Sequence, residues 1–341
     1  MENIDEEDVD TVLLALLTVL FTFVTFGGLF LNFMGIYTIT KIRNKSRIFN
    51  DLMICLWLFD CWVLLTAPLF FFGLYHKYFG CGVCAWLLPY WAVPCGHMAA
   101  FGTLMTTLAI TYERYLAVSD PASYRVLTID GEAQKKRLYL YIVPIMVVTI
   151  LFNIPQFFAF KLSINSENNS TNLVLDLGCD KQYRLHYEFI ATTCLFGIIP
   201  FSVLIFLSFK TIKILKRLNN QRQSQADLQD DVSKKHHLER YRHEDKITRM
   251  NIVLVLLFLA AHVPRIVLSF IVGVTQARSE RCERKEHQDW PLDDFAMINH
   301  ISVLMVMINS SVGTLVYSAM NKEFRRKRFA GIFNHDTESH T

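Results

Sequence analysis

A few ionisable side chains stand inside runs that are otherwise apolar, and these are the residues with chemistry to offer. Arg114, between Glu113 and Tyr115, closes an apolar run that begins near Cys84. Asp60 lies deep in a second run, Arg265 follows Pro264 in a third, and the histidines His97, His262 and His300 are spread over three. An isolated ion in hydrocarbon is costly, so such residues are paired, face an internal cavity or carry function. An arginine beside a carboxylate at a membrane edge can form an ion pair whose release switches a helix bundle between two arrangements. Histidines with a carboxylate can hold zinc for hydrolysis, but that requires ligands in a fixed metal geometry. Here the histidines are single, with no paired spacing, so the switch is favoured and no enzyme is expected. Counting residues from Arg114, Glu244 and Tyr317 puts all three histidines roughly 25 Å from the inner end of their helices. A joint zinc or pH-sensing site is one reading of that shared level; three separate polar groups is the favoured one.

These residues need apolar helices to position them. The chain has 341 residues, 52% of them hydrophobic, with charges gathered between long uncharged stretches, a membrane composition. Seven stretches reach the roughly 20 residues that cross a bilayer as helix: 12–40, 52–75, 86–118, 138–160, 187–215, 247–274 and 295–320. The expected fold is an all-α bundle of seven transmembrane helices over 12–320, with a tail at 1–11, a long loop at 216–246 and a terminal segment at 321–341. No internal repeat is visible, which argues against a transporter. The net charge of +3 conceals an asymmetry. The connections after the first, third, fifth and seventh spans carry four, four, eight and five Lys and Arg, against one, three and four in the others. The positive-inside rule therefore predicts an extracellular N-terminus and a cytosolic C-terminus. Met1 to Asp10 is acidic, so the first span is expected to serve as its own uncleaved insertion signal.

Cys55 and Cys61 read as small packing residues of the second span. Cys81, Cys84, Cys179 and Cys282 fall in outer connections, where disulfides are permitted, and four cysteines allow three pairings. Asn168 and Asn169 begin overlapping N-glycosylation sequons on the same outer side. Inside, the polar loop is expected to extend the fifth and sixth helices beyond the membrane. After Tyr317, Phe324, Arg328 and Phe329 at helical spacing predict a basic amphipathic helix on anionic headgroups.

Motifs in order along the chain carry a resemblance. Asn32 ends Gly-Leu-Phe-Leu-Asn, Asp60 closes the run from Leu52, and Glu113-Arg114-Tyr115 ends the third span. Pro155, Pro200 and Pro264 mark the fourth, fifth and sixth spans, and Asn309-Ser310-Ser311 with Tyr317 marks the seventh. The chain resembles a rhodopsin-like G-protein-coupled receptor over its whole membrane region. Phe152-Asn153-Ile154-Pro155-Gln156-Phe157-Phe158, Tyr112 to Val118 and Ala261-His262-Val263-Pro264-Arg265 resemble FMRFamide-type invertebrate neuropeptide receptors within that family.

The resemblance implies roles. Arg114 would pair at rest with Glu113 and with Glu244 at the foot of the sixth helix, and Tyr115 and Tyr317 would complete the activation switch. Asn32, Asp60, Thr103, Asn309 and Ser310 would form a polar core able to take a sodium ion. Leu104, Pro200, Phe258, His262 and Pro264 match the packing switch, with His262 in place of a tryptophan. Gly313 and Thr314 stand where Asn-Pro is usual, and Ser208 where a tyrosine is usual. The resemblance also implies a disulfide to Cys179, for which Cys84 is the better candidate and Cys81 the next. Level and polarity nominate Tyr90, Trp91, His97, Gln156, Arg265 and His300 for the ligand, with Glu188 or Asp294 as further acids; such a cavity suits a short peptide C-terminus. The partners implied are an extracellular peptide, a heterotrimeric G protein and the lipid bilayer of the plasma membrane, and no nucleic acid.

Overall fold

A computed structural model of the chain describes residues 6–41, 47–74, 82–165, 170–175, 180, 182–226, 232–278, 293–320 and 324. Seven helical segments are long and apolar enough to cross a membrane: Val12–Thr40, Ile48–Phe72, Leu88–Ser119, Gly131–Phe158, Leu185–Leu218, Asp245–Ile271 and Ile298–Met320. The chain is a multi-pass membrane protein built as a seven-helix bundle.

Several helices outrun the apolar stretches that nucleate them. The first begins at Glu6, inside the segment expected to be a tail. The fourth begins at Gly131, where Asp130 accepts a hydrogen bond from Glu132 N at 2.9 Å and so caps a charged first turn. The fifth continues to Ala226 and the sixth starts at Val232, so both pass beyond the apolar stretch at its basic end.

Proline shapes three of the spans. The third opens with a π-helical turn, Leu88–Ala92, that contains Pro89 and stands just before Pro94. The fifth is π-helical over Tyr183–Ala191 and Thr193–Ile198, directly before Pro200. There the wider turn is closed in part by the Thr192 hydroxyl, which donates to the Tyr187 carbonyl at 3.0 Å. The fourth ends at Asn153 and tightens into a 3-10 turn, Ile154–Phe158, whose second residue is Pro155.

One feature departs from an all-helical chain. Between the fourth and fifth spans, β1 (Phe160–Asn165) and β2 (Ser170–Leu175) form an antiparallel hairpin whose register runs from Phe160↔Leu175 to Asn165↔Ser170. Asn168 and Asn169 fall among the four residues joining the strands and lie outside the described residues, as do Cys81, Cys179 and Cys282. Cys84 is in a short helix, Gly82–Leu87, but its side chain is outside the described set. The tail residues Arg328 and Phe329 are outside it too; Phe324 is described and fully buried.

The third span occupies the middle of the bundle, packed on the second, fourth, fifth and sixth, while the first, second and seventh pack on one another. Close approach depends on small residues. A methyl group at Gly28 would run into the Ser311 hydroxyl, and one at Gly35 would come within 2.8 Å of Thr314 Cγ2. These two glycines, one face of the first helix, let it lie directly against the seventh. Phe23, Phe26, Phe30 and Phe33 of the same helix are exposed, as lipid-facing residues are.

Candidate functional site

At the basic end of the third span, Glu113 and Arg114 are both fully buried. They do not serve each other as expected. The Glu113 carboxylate accepts from Arg137 Nη2 at 3.0 Å and from the Tyr141 hydroxyl at 2.9 Å, both on the fourth helix. The Arg114 guanidinium lies 4.3 Å from the centroid of the Phe49 ring and donates to the Tyr124 hydroxyl at 3.3 Å. Consecutive helical residues point about 100° apart, so neighbouring side chains face different helices rather than one another. Tyr115, next in sequence, is half-buried. The Glu244 side chain lies outside the described residues.

Tyr124 reaches Arg114 because the loop after the third span folds. Asp120 accepts from Ser123 N at 3.1 Å and caps a helix, Pro121–Ile129, whose Pro121 is preset for a first turn. Hydrogen bonds from Ser123 hold the Asp120 carboxyl below the usual aspartate range. Arg137 also lies over the Tyr124 ring, at 5.5 Å, so one tyrosine touches both arginines.

Phe49 carries the site across the bundle. Its ring stacks on Tyr317 at 6.4 Å, and Tyr317 meets Trp57 edge-on at 5.6 Å and Phe324 at 4.8 Å. Arg114 and Tyr317 are therefore joined through one aromatic side chain of the second span. Three steps above Arg114 in the third helix, Thr111 accepts from Asn251 Nδ2 of the sixth at 3.5 Å.

The polar core is distributed over four helices. Thr103 donates to Asp60 at 3.5 Å. Asn32 donates to the Ser310 carbonyl at 2.9 Å and accepts from the Thr314 hydroxyl at 3.0 Å. Thr314 thus gives the first and seventh helices a hydrogen bond, and the seventh runs unbroken from Asp293 to Met320 without a proline. Gly313 faces Trp57 Nε1, a fully buried donor without a hydrogen-bond partner among the described residues. Asn309 is half-buried, and none of the hydrogen bonds among the described residues uses it. Oxygen donors for a monovalent cation here are Asp60 and the buried Thr103 and Ser310 hydroxyls, while Gly313 supplies no amide.

Higher in the bundle, Leu104, Phe201, Leu204, Val255 and Phe258 form one buried cluster beside Pro200. His262 stacks on Phe258 at 4.1 Å, one turn below Arg265 on the same helix. The other two histidines meet different rings: His97 meets Phe196 at 6.3 Å and His300 meets Phe71 at 5.4 Å. No group of three or more metal-binding side chains occurs among the described residues. Gln156 is buried in the 3-10 turn. Tyr90 and Trp91 are 42% and 48% exposed at the start of the third span. The side chains of Glu188 and Asp294 lie outside the described residues. Ser208 presents a buried hydroxyl without a hydrogen-bond partner among the described residues.

Against known proteins, the family described as "7 transmembrane receptor (rhodopsin family)" matches residues 31–317, most of the chain and all seven spans in whole or part. The chain belongs to the rhodopsin family of seven-transmembrane receptors. Among its relatives are an FMRFamide receptor of Drosophila melanogaster, 23% identical over 68% of this chain and 37% of the relative, and a melanopsin of Phodopus sungorus, 25% identical over 70% and 48%. An ultraviolet-sensitive opsin of Apis mellifera is 28% identical over 40% of this chain and 34% of its own. The chain thus spans less than half the length of these relatives. Members of this family are receptors and not enzymes.

Of the residues that tie this receptor together, sequence reasoning missed Arg137, Tyr141, Tyr124, Phe49, Asn251 and the glycines at 28 and 35. Arg137 had one signal: it stands seven residues after the helix-capping Asp130, inside a pattern that helix propensity would have extended.

Proposed function

We propose that this rhodopsin-family chain is a plasma-membrane receptor with an extracellular N-terminus, that its ligand is a neuropeptide of the FMRFamide-like type, and that it activates a heterotrimeric G protein. Arg114 carries the proposal. A fully buried guanidinium held by an aromatic face and a phenol, at the basic end of the most central helix, is in a resting arrangement that an outward shift of neighbouring helices releases. Glu113, Arg114, Tyr115, Glu244 and Tyr317 are the proposed switch, and Asn32, Asp60, Thr103, Asn309 and Ser310 the core it pivots on. Leu104, Pro200, Phe258, His262 and Pro264 relay ligand contact inward. A Cys84–Cys179 disulfide and glycosylation at Asn168 or Asn169 belong to the same proposal, on the outer side. The likeness to the FMRFamide receptor supports the peptide class, together with Gln156, His97 and Arg265 at pocket level.

The test is agonist-driven nucleotide exchange in cells challenged with a panel of amidated neuropeptides. At least one peptide should drive exchange through the wild-type receptor, and Arg114→Ala should abolish it with surface expression retained. Full signalling by Arg114→Ala would overturn the assigned switch.

A further inference from the structure

Arg137 does more than neutralise Glu113. Its Nη2 donates to the Glu113 carboxylate at 3.0 Å, and its guanidinium lies 5.5 Å from the centroid of the Tyr124 ring. The Tyr124 hydroxyl in turn accepts from Arg114 at 3.3 Å. Glu113 and Arg114 are neighbours in one helix, so the four side chains close a circuit that runs from Glu113 to Arg137, across the Tyr124 ring and back to Arg114.

The backbone holds this circuit at fixed geometry. The helix Pro121–Ile129, which carries Tyr124, packs on both the third and the fourth spans. Asp120 caps its start, and the Tyr124 N–H donates to the Asp120 carbonyl at 3.0 Å. Asp130 ends that helix and, with no residue between, caps the fourth, on which Arg137 stands about two turns further along. Arg137 is also pinned at its tip, because the Glu113 oxygen it meets, Oε2, accepts from the Tyr141 hydroxyl at 2.9 Å as well. A pair that served only to neutralise a buried acid would need no aromatic partner. This one lies over the ring whose hydroxyl holds Arg114, in a contact that is attractive in its own right.

We propose that Arg137 is a positioning residue for the switch: fixed by Glu113, it sets the Tyr124 ring, and the Tyr124 hydroxyl is the catch that keeps Arg114 in its resting arrangement. The restraint on Arg114 then runs through the third span, the fourth span and the loop helix between them, and Glu113 acts in it as the anchor of Arg137. The inference rests on the reading of Arg114 as the G-protein switch and names what regulates it. Loosening the catch raises signalling without any ligand.

The experiment measures ligand-free nucleotide exchange on a panel of heterotrimeric G proteins, using membranes that carry the full-length receptor, per receptor present. Tyr124→Phe removes the hydroxyl and keeps the ring, and it should raise basal exchange about tenfold, the scale of one hydrogen bond to a charged group. Arg137→Gln should also raise it, and Arg137→Lys, which can keep both the ion pair and the ring contact, should stay below Arg137→Gln. Without the hydroxyl Arg137 has nothing to position, so adding Arg137→Gln to Tyr124→Phe should bring no further rise. A purely structural pair would lower thermal stability and leave exchange per receptor unchanged. Exchange by Tyr124→Phe no higher than wild type overturns the inference even if Arg137→Gln does not fold, and so does a full further rise in the double variant. If amidated peptides drive Arg114-dependent exchange through the wild type while Tyr124→Phe stays at the basal level, the catch is refuted and the switch stands. A raised Tyr124→Phe level that survives Arg114→Ala would refute Arg114 as the switch, and the catch with it.

Discussion

Glu113 is a wholly buried carboxylate whose partners, Arg137 and Tyr141, stand on another helix. Removing one partner of a buried pair leaves the other charged and unsatisfied. Arg137→Gln should therefore destabilise the receptor by roughly 3 kcal/mol, and Tyr141→Phe by about 1.5 kcal/mol, both read as thermal unfolding in detergent. Adding Glu113→Gln to Arg137→Gln should recover part of the loss, because the orphaned charge is then gone; a double variant no more stable than the single one would contradict the pairing. The residue types of this site were legible in the sequence, whereas the partnership was not. Arg137 reads as a loop residue because the apolar run starts at Leu138, and only the helix that begins at Gly131 turns it inward. Arg114 likewise reads as Glu113's partner until the angle between successive side chains separates them.

At the scale of elements, the short helix after the third span rests on its cap. The Asp120 carboxylate holds Ser123, the helix holds Tyr124, and Tyr124 holds Arg114. Because the folded state lowers the Asp120 pKa, the stabilisation is complete above the ordinary aspartate range and is lost as pH falls through the folded value. Amide exchange at Ser123 and Tyr124, corrected for intrinsic rates, should accelerate below about pH 4 in the wild type. Asp120→Asn, which keeps an acceptor, should lose that pH dependence while retaining much of the protection, and Asp120→Ala should exchange fast at every pH. Exchange that is flat with pH in the wild type would exclude the cap as the support of this helix. The seven spans themselves were legible, since runs of 20 apolar residues have few other uses. The β1–β2 hairpin was not, because Phe160–Leu175 is short, polar at its turn and continuous with a span. The π-helical turns near Pro89 and Pro200 also escape periodicity, which assumes a constant 3.6 residues per turn.

Over the whole molecule, the joints are unequal. The first, second and seventh helices share Asn32, Thr314, Gly28, Gly35 and the rings around Trp57, and the third and fourth share the Glu113 network. Between the third and sixth helices, the hydrogen bond found among the described residues is the long one from Asn251 to Thr111. An outward swing of the sixth helix is the motion that the proposed switch requires. If that swing links the two faces, reciprocity requires each ligand to favour the other. Agonist affinity should rise when a G protein is supplied, by about fivefold to 150-fold for typical coupling energies, and Arg114→Ala should abolish the rise. Affinity unmoved by the G protein would mean that the faces act independently.

Trp57 has an optical consequence. Its indole is fully buried, its N–H has no hydrogen-bond partner among the described residues, and it lies edge-on to Tyr317 with Phe324 on another side. An indole so shielded from water emits toward the blue. Movement of the seventh helix or of the segment that carries Phe324 would admit solvent to it and shift its emission to longer wavelengths. The bundle therefore contains an intrinsic fluorophore at the junction where its second helix, its seventh helix and Phe324 meet.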